Sequence, residues 1–167
     1  FLQREIKEEV ARAKREKHTI YIGTAHLNYL YIRALLNQPA DETTRLLTKL
    51  ALKQAPTATM DFKALLAVVL QKTGDKKEAK TLRESLKEHT VSTPAFGRYF
   101  DTQRTRFSSQ WYRIPAQVAT IEALRASGNA ADEKVADEMR LWLMQSKRTQ
   151  MWQASRTSAD AVYALLA

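Results

Sequence analysis

The sequence predicts an all-α chain built as an incomplete α/α toroid, two concentric layers of helical hairpins. Three observations carry that expectation. Helix breakers are scarce, with four Gly and four Pro in 167 residues. Apolar residues recur at helical spacing along most of the chain. Helices with a single apolar stripe also alternate regularly with helices that are apolar nearly all round.

Residues 2–17 place Leu2, Ile6, Val10 and Ala13 on one stripe among charged neighbours, the pattern of an outer helix. Residues 24–36, "TAHLNYLYIRALL", are apolar on most faces and read as an inner helix. Residues 41–54 return to one stripe, Leu46, Leu47, Leu50 and Ala51, and 59–71, "TMDFKALLAVVLQ", are again apolar on most faces. Residues 75–89 carry Ala79, Leu82 and Leu86 on one side of a heavily charged segment. An irregular stretch follows. Then come "PAQVATIEALRA" (115–126, inner), 130–147 (outer, striped by Val135, Met139, Trp142 and Leu143), and an inner helix from about Ser158.

Joints such as "NQPAD" (37–41), "TGD" (73–75) and "SGNAAD" (127–132) hold the Gly, Asn, Pro and Asp that close helical hairpins. A solenoid would give every helix a similar half-buried stripe, whereas two nested layers give the contrast read here. Residues 1–167 are expected to form one helical domain.

An internal echo picks out structural anchors. Trp111 lies twelve residues before the Ala-Leu of "EALRA", and Trp152 twelve before the Ala-Leu of "YALLA". Each tryptophan is expected to pack beneath the loop that feeds an inner helix. Thr157 is expected to cap the last helix, with Asp160 answering from the third helical position. Pro115 suits the first turn of the helix after Trp111.

Chemistry is sparse. No cysteine is present, which removes disulfides, thiolate metal sites and a cysteine nucleophile from these residues. His18, His26 and His89 have no metal-ligand spacing, and no glycine-rich phosphate loop occurs. Ser108 and Ser109 lack a nucleophile-elbow context. Asp61, Glu122 and Asp160 are the acids on inner-type helices, and a glycosidase needs two carboxylates converging on one cavity. No catalytic residue, cofactor, metal or small-molecule substrate is therefore expected. The longest apolar run, "ALLAVVL", is too short to span a bilayer.

The net charge of +9 raises nucleic acid as a partner, with its sharpest signal in "FGRYFDTQRTRFSSQWYR" (96–113). Arg98, Arg104, Arg106 and Arg113 lie there among aromatics, as phosphate contacts and stacking platforms would. The competing reading is a connector whose aromatics plug the core while its arginines reach outward. Nucleic-acid binding is the weaker of the two, and whether the segment faces another domain is a hypothesis that charge reversal at Arg104 and Arg106 tests.

Several segments resemble a known family. "ESLKEHTV" (84–91), "GRYFDT" (97–102), "WYRIPAQVATIEAL" (111–124), "LWLMQSKRTQMW" (141–152) and "TSADAVYALL" (157–166) are similar to the thioester-type helical domain of bacterial alpha-2-macroglobulins. "KRTQMW" followed by "TSADAVYALL" is the most specific part, and the resemblance covers roughly the C-terminal half of the chain. It implies an α/α toroid inside a large exported protease trap, periplasmic or bound to the cell envelope, with any membrane attachment through a lipid anchor on the parent.

In such proteins a protease cuts a bait segment and the molecule rearranges around it. Where a thioester is present, the attacker is captured in one suicidal acyl transfer, so the protein is an inhibitor and not an enzyme. The partners implied are the other domains of the parent and, through them, proteases. The Cys-x-Glu-Gln thioester motif is absent here, so no residue is assigned that reaction. The chain starts at Phe1 and ends as an apolar helix begins, which is read as part of a ring with its last hairpin cut. The alternatives from other classes are a helical-repeat scaffold for proteins or peptides, and the basic nucleic-acid-binding domain.

Overall fold

The computed structural model of the chain describes residues 2–101, 103, 105–107, 113–149 and 155–166, and side-chain surroundings within these except at 148, 149, 155–158 and 160. Among them are helices α1 (Leu2–Glu16), α2 (Thr24–Leu35), α3 (Glu42–Gln54), α4 (Met60–Thr73) and α5 (Lys76–Glu88). Strands β1 (Thr90–Thr93) and β2 (Gly97–Phe100) follow, then α6 (Arg113–Arg125), α7 (Ala130–Thr149) and α8 (Ser155–Leu166). Among the described residues the fold is all-α apart from this hairpin.

The helices form where local chemistry starts and stops them. Asp41 caps α3, its Oδ1 accepting from the amide and hydroxyl of Thr44 at 2.8 Å each. Burial opposes the ionisation of Asp41, but the Thr44 donors, Lys7 and Arg33 outweigh it and hold the carboxyl well below its usual range. Gly74 closes α4 in the left-handed region (φ 95°), where glycine carries no Cβ penalty. Pro115 sits in the first turn of α6, where its missing amide hydrogen leaves no helical bond unmade.

Packing follows the alternation that the sequence expresses. Helix α4 packs against α2 and α6, and α6 in turn packs against α8, so the helices read as inner are consecutive neighbours. Each of the others lies beside its chain neighbours: α1 on α2, α3 on α2, α5 on α4 and α6, and α7 on α6 and α8. In α4, Met60, Phe62, Ala64 and the run Leu66–Leu70 are all buried, as a helix covered on several sides requires. Each fully buried leucine or valine of that run contributes about 1.5–3 kcal/mol relative to exposure. In α1 only Ile6, Val10 and Ala13 are buried, so it covers the core with one face.

Two features depart from the sequence expectation. The stretch after α5, read as irregular, holds an antiparallel hairpin in which Thr90 pairs with Phe100 and Thr93 with Gly97. Gly97 has φ 72°, and a Cβ there would run into the Glu138 carbonyl of α7. Only glycine lets the strand approach that helix so closely. Helix α8, read as apolar and enclosed, buries Ala161 and Ala164 but exposes Val162, Tyr163 and Leu166. It also begins at Ser155, so Thr157 lies inside its first turn instead of before it. The capping expected of the Thr157 and Asp160 side chains lies outside the described residues.

Candidate functional site

Two regions gather functional chemistry: the arginine-rich hairpin region and a cleft among the inner helices. The hairpin lies across α7, with β2 also touching α6. Phe100 is fully buried and meets Phe107 edge-to-face, ring centroids 5.8 Å apart. Tyr99 stacks on Trp142 of α7 at 6.0 Å, and the Arg113 guanidinium stands 4.7 Å from the Trp142 ring and 6.0 Å from that of Tyr99. Such cation–π geometry contributes about 0.5–2 kcal/mol, more as the site dries. Burial pulls the Arg113 pKa down from its usual value, although the guanidinium keeps its charge.

Arg98 is also committed internally. Its Nε donates to Glu138 Oε2 at 2.8 Å and its Nη1 to Thr90 Oγ1 at 3.0 Å, while its carbonyl accepts from Gln117 Nε2 at 2.7 Å. Burial works against ionisation of Glu138, yet Arg98, Ser92 and Lys134 prevail and hold its carboxyl low. Arg106 is exposed, and its carbonyl accepts from the Met60 amide at 2.9 Å, tying the connector to the start of α4.

The structure therefore does not bring the described arginines of the segment into one outward face: Arg98 and Arg113 are spent on the hairpin, and Arg106 is exposed. Arg104, Trp111 and Trp152 lie outside the described residues. Of the described aromatics in 96–107, Phe96 at the hairpin turn is the exposed one, at 54%. Aromatics that plug the core, the connector reading, account for the rest.

The second region was not legible as a site. Residues of α2, α4, α6 and α8 meet in this region. The Tyr31 hydroxyl of α2 donates to Glu122 Oε2 of α6 at 2.8 Å. Beside it a cleft of about 270 Å3 opens among Lys72 of α4, Val118, Ile121, Glu122 and Arg125 of α6, Ala126, and Tyr163 and Ala164 of α8. Burial pushes the Glu122 carboxyl up, against the smaller opposing pulls of Tyr31 and Lys72. A partly desolvated acid in a cleft is the kind of group functional sites employ. Among the described residues Glu122 is the only carboxylate lining the cleft, so they do not assemble the paired-acid geometry of glycoside hydrolysis there.

Other polar groups are structural. Arg83 Nε donates to Asp132 Oδ2 at 3.0 Å and Lys87 Nζ to Asp132 Oδ1 at 2.8 Å, locking α5 to the start of α7. Arg83 also donates to Gln71 Oε1 at 2.9 Å, adding α4 to the same knot. His26 accepts from the Gly23 amide through Nδ1 and reaches Glu9 Oε2 through Nε2 at 3.1 Å, which fixes its hydrogen on Nε2. Among the described residues no three His, Cys, Asp or Glu side chains gather as a metal site would require, and no helix is long and apolar enough to cross a membrane.

Comparison with protein-family models, curated proteins and solved structures gives no match to this chain.

Proposed function

We propose that this chain is a non-catalytic helical element of a bacterial alpha-2-macroglobulin-like protease trap, forming part of an α/α toroid without the thioester. The observation that carries the reading is the order of packing, α2 against α4, α4 against α6 and α6 against α8, each flanked by a one-faced helix. That is the succession an arc of a two-layered ring requires. Segments resembling the macroglobulin domain also fall on consecutive elements: the end of α5, β2, α6, α7 and α8.

In this reading the chain holds a docking face for the other domains of its parent, which is exported to the periplasm or cell envelope. These residues hold no cysteine, so the chain itself supplies no thioester and contributes to enclosure of the protease as a structural element. The test uses the full parent protein mixed with a protease. Trapping predicts lost activity toward a large protein substrate with activity toward a small peptide substrate kept. Undiminished cleavage of the large substrate contradicts it.

One observation favours a second reading, a scaffold for protein or peptide binding. Ile32 and Leu35 on α2, Leu36 just after it, and Val162 on α8 are exposed although these helices read as inner. Apolar residues left open on a helical array are the usual footing for a bound segment. Retention of a protease by the parent separates the trap from the scaffold.

A further inference from the structure

We propose that the cleft between the C-terminal ends of α4, α6 and α8 binds an apolar group ending in a carboxylate, as a peptide's C-terminal residue or a free acylated amino acid presents it. This inference stands whether or not the chain belongs to a protease trap.

Size sets the first limit. About 270 Å3 accommodates one leucine-sized side chain with its terminal carboxylate, and not a drug-sized ligand. The walls set the second. Val118, Ile121 and Ala164 supply apolar surface, while Lys72 and Arg125 supply positive charge. Glu122 opposes them, but its hydrogen bond from Tyr31 blunts its repulsion of an anion.

Arg125 supplies the most specific feature. Its Nε faces Glu133 Oε1 at 3.4 Å. Its Nη1 is buried and has no hydrogen-bond partner among the described residues. A desolvated guanidinium nitrogen without an acceptor is costly, and an incoming carboxylate relieves that cost with a charge-assisted bond. A neutral carbonyl relieves it more weakly, and a cation does not relieve it at all.

The test is a titration of 15N-labelled protein with N-acetyl-leucine, N-acetyl-leucinamide, and the peptides acetyl-Ala-Ala-Leu and its amide. The expected result is saturable movement of the Ala126 and Ala164 amide signals, with each acid binding about tenfold more tightly than its amide. Arg125→Gln and Lys72→Gln should each abolish most of that preference. Lys72 is exposed, so Lys72→Gln keeps the test open if Arg125→Gln does not fold. A peptide acid that outbinds N-acetyl-leucine identifies a chain terminus as the ligand, and equal binding identifies the free carboxylate. Equal affinity of acids and amides, or no saturable movement at about 10 mM ligand, overturns the proposal.

Discussion

Tyr31 on α2 donates its hydroxyl hydrogen to Glu122 on α6 across 2.8 Å, bridging two inner helices that both pack on α4. The bond joins residues 91 apart in the chain. It offsets part of the cost of holding an acid where burial disfavours its charge.

That balance makes stability depend on pH with a definite sign. Burial raises the folded pKa of Glu122 above its ordinary 4.5. Below that value the group is protonated in both states and contributes no pH dependence. As pH rises through 4.5 and on through the folded pKa, the unfolded chain ionises more readily and stability falls. Glu122→Gln keeps an acceptor for Tyr31 without the charge. It should raise the melting temperature at pH 7 by a few degrees, a gain that vanishes near pH 4. Thermal melts at the two pH values check this.

Asp132 behaves in the opposite sense. Burial opposes its ionisation, but Lys87, Ser127 and Arg83 prevail and lower its pKa from 3.8. Its contribution is complete above that ordinary value and lost as pH falls through the lower folded one. Asp132→Ala leaves Arg83, only 6% exposed, without its carboxylate. The expected loss is about 3–5 kcal/mol, measured by urea unfolding at pH 7. At pH 2 the difference from the parent chain should shrink.

Gly97→Ala should be among the costliest single-methyl additions in the chain. The position combines φ 72° with a carbonyl of α7 where the new Cβ must sit. Strain and displacement of the hairpin together should cost about 2–4 kcal/mol in chemical denaturation. Gly128→Ala, with φ 65° but open space around it, should cost only about 1 kcal/mol.

The contrast between helices buried on several faces and helices buried on one was legible because burial demands composition. A helix covered on several sides needs apolar residues on several faces, and "ALLAVVL" in α4 has them. One-faced helices kept their charges, as α1 did. The hairpin leaves little trace in the sequence because "TVST" is short and polar, and strands of four residues carry little periodicity. Its signals were the β-branched cluster followed by Pro94 and Gly97. The buried ion cluster was hidden for a different reason. Arg83 lies on the same helical face as Ala79, Leu82 and Leu86, and nothing local to α5 foretells that Asp132 will meet it. The Glu122 cleft depends on three helices converging, a long-range fact that no window of sequence contains.

Charge reversal separates the two kinds of arginine in the 96–113 segment. Arg98→Glu replaces a cation that holds Glu138 and should destabilise the isolated chain by about 1–3 kcal/mol. Arg106→Glu, at an exposed side chain, should leave its melting temperature unchanged within about 1–2 °C. If the segment faces another domain, Arg104→Glu together with Arg106→Glu should loosen docking in the full-length protein, seen as faster proteolysis between domains.

The layering itself is tested most directly by native-state hydrogen exchange. The account predicts that amides of α4 and α6 exchange only through global unfolding, while those of α3 and α5 open sooner through local fluctuations. Exchange from α5 as slow as from α4, or from α4 as fast as from α3, would contradict an inner row wrapped by an outer one.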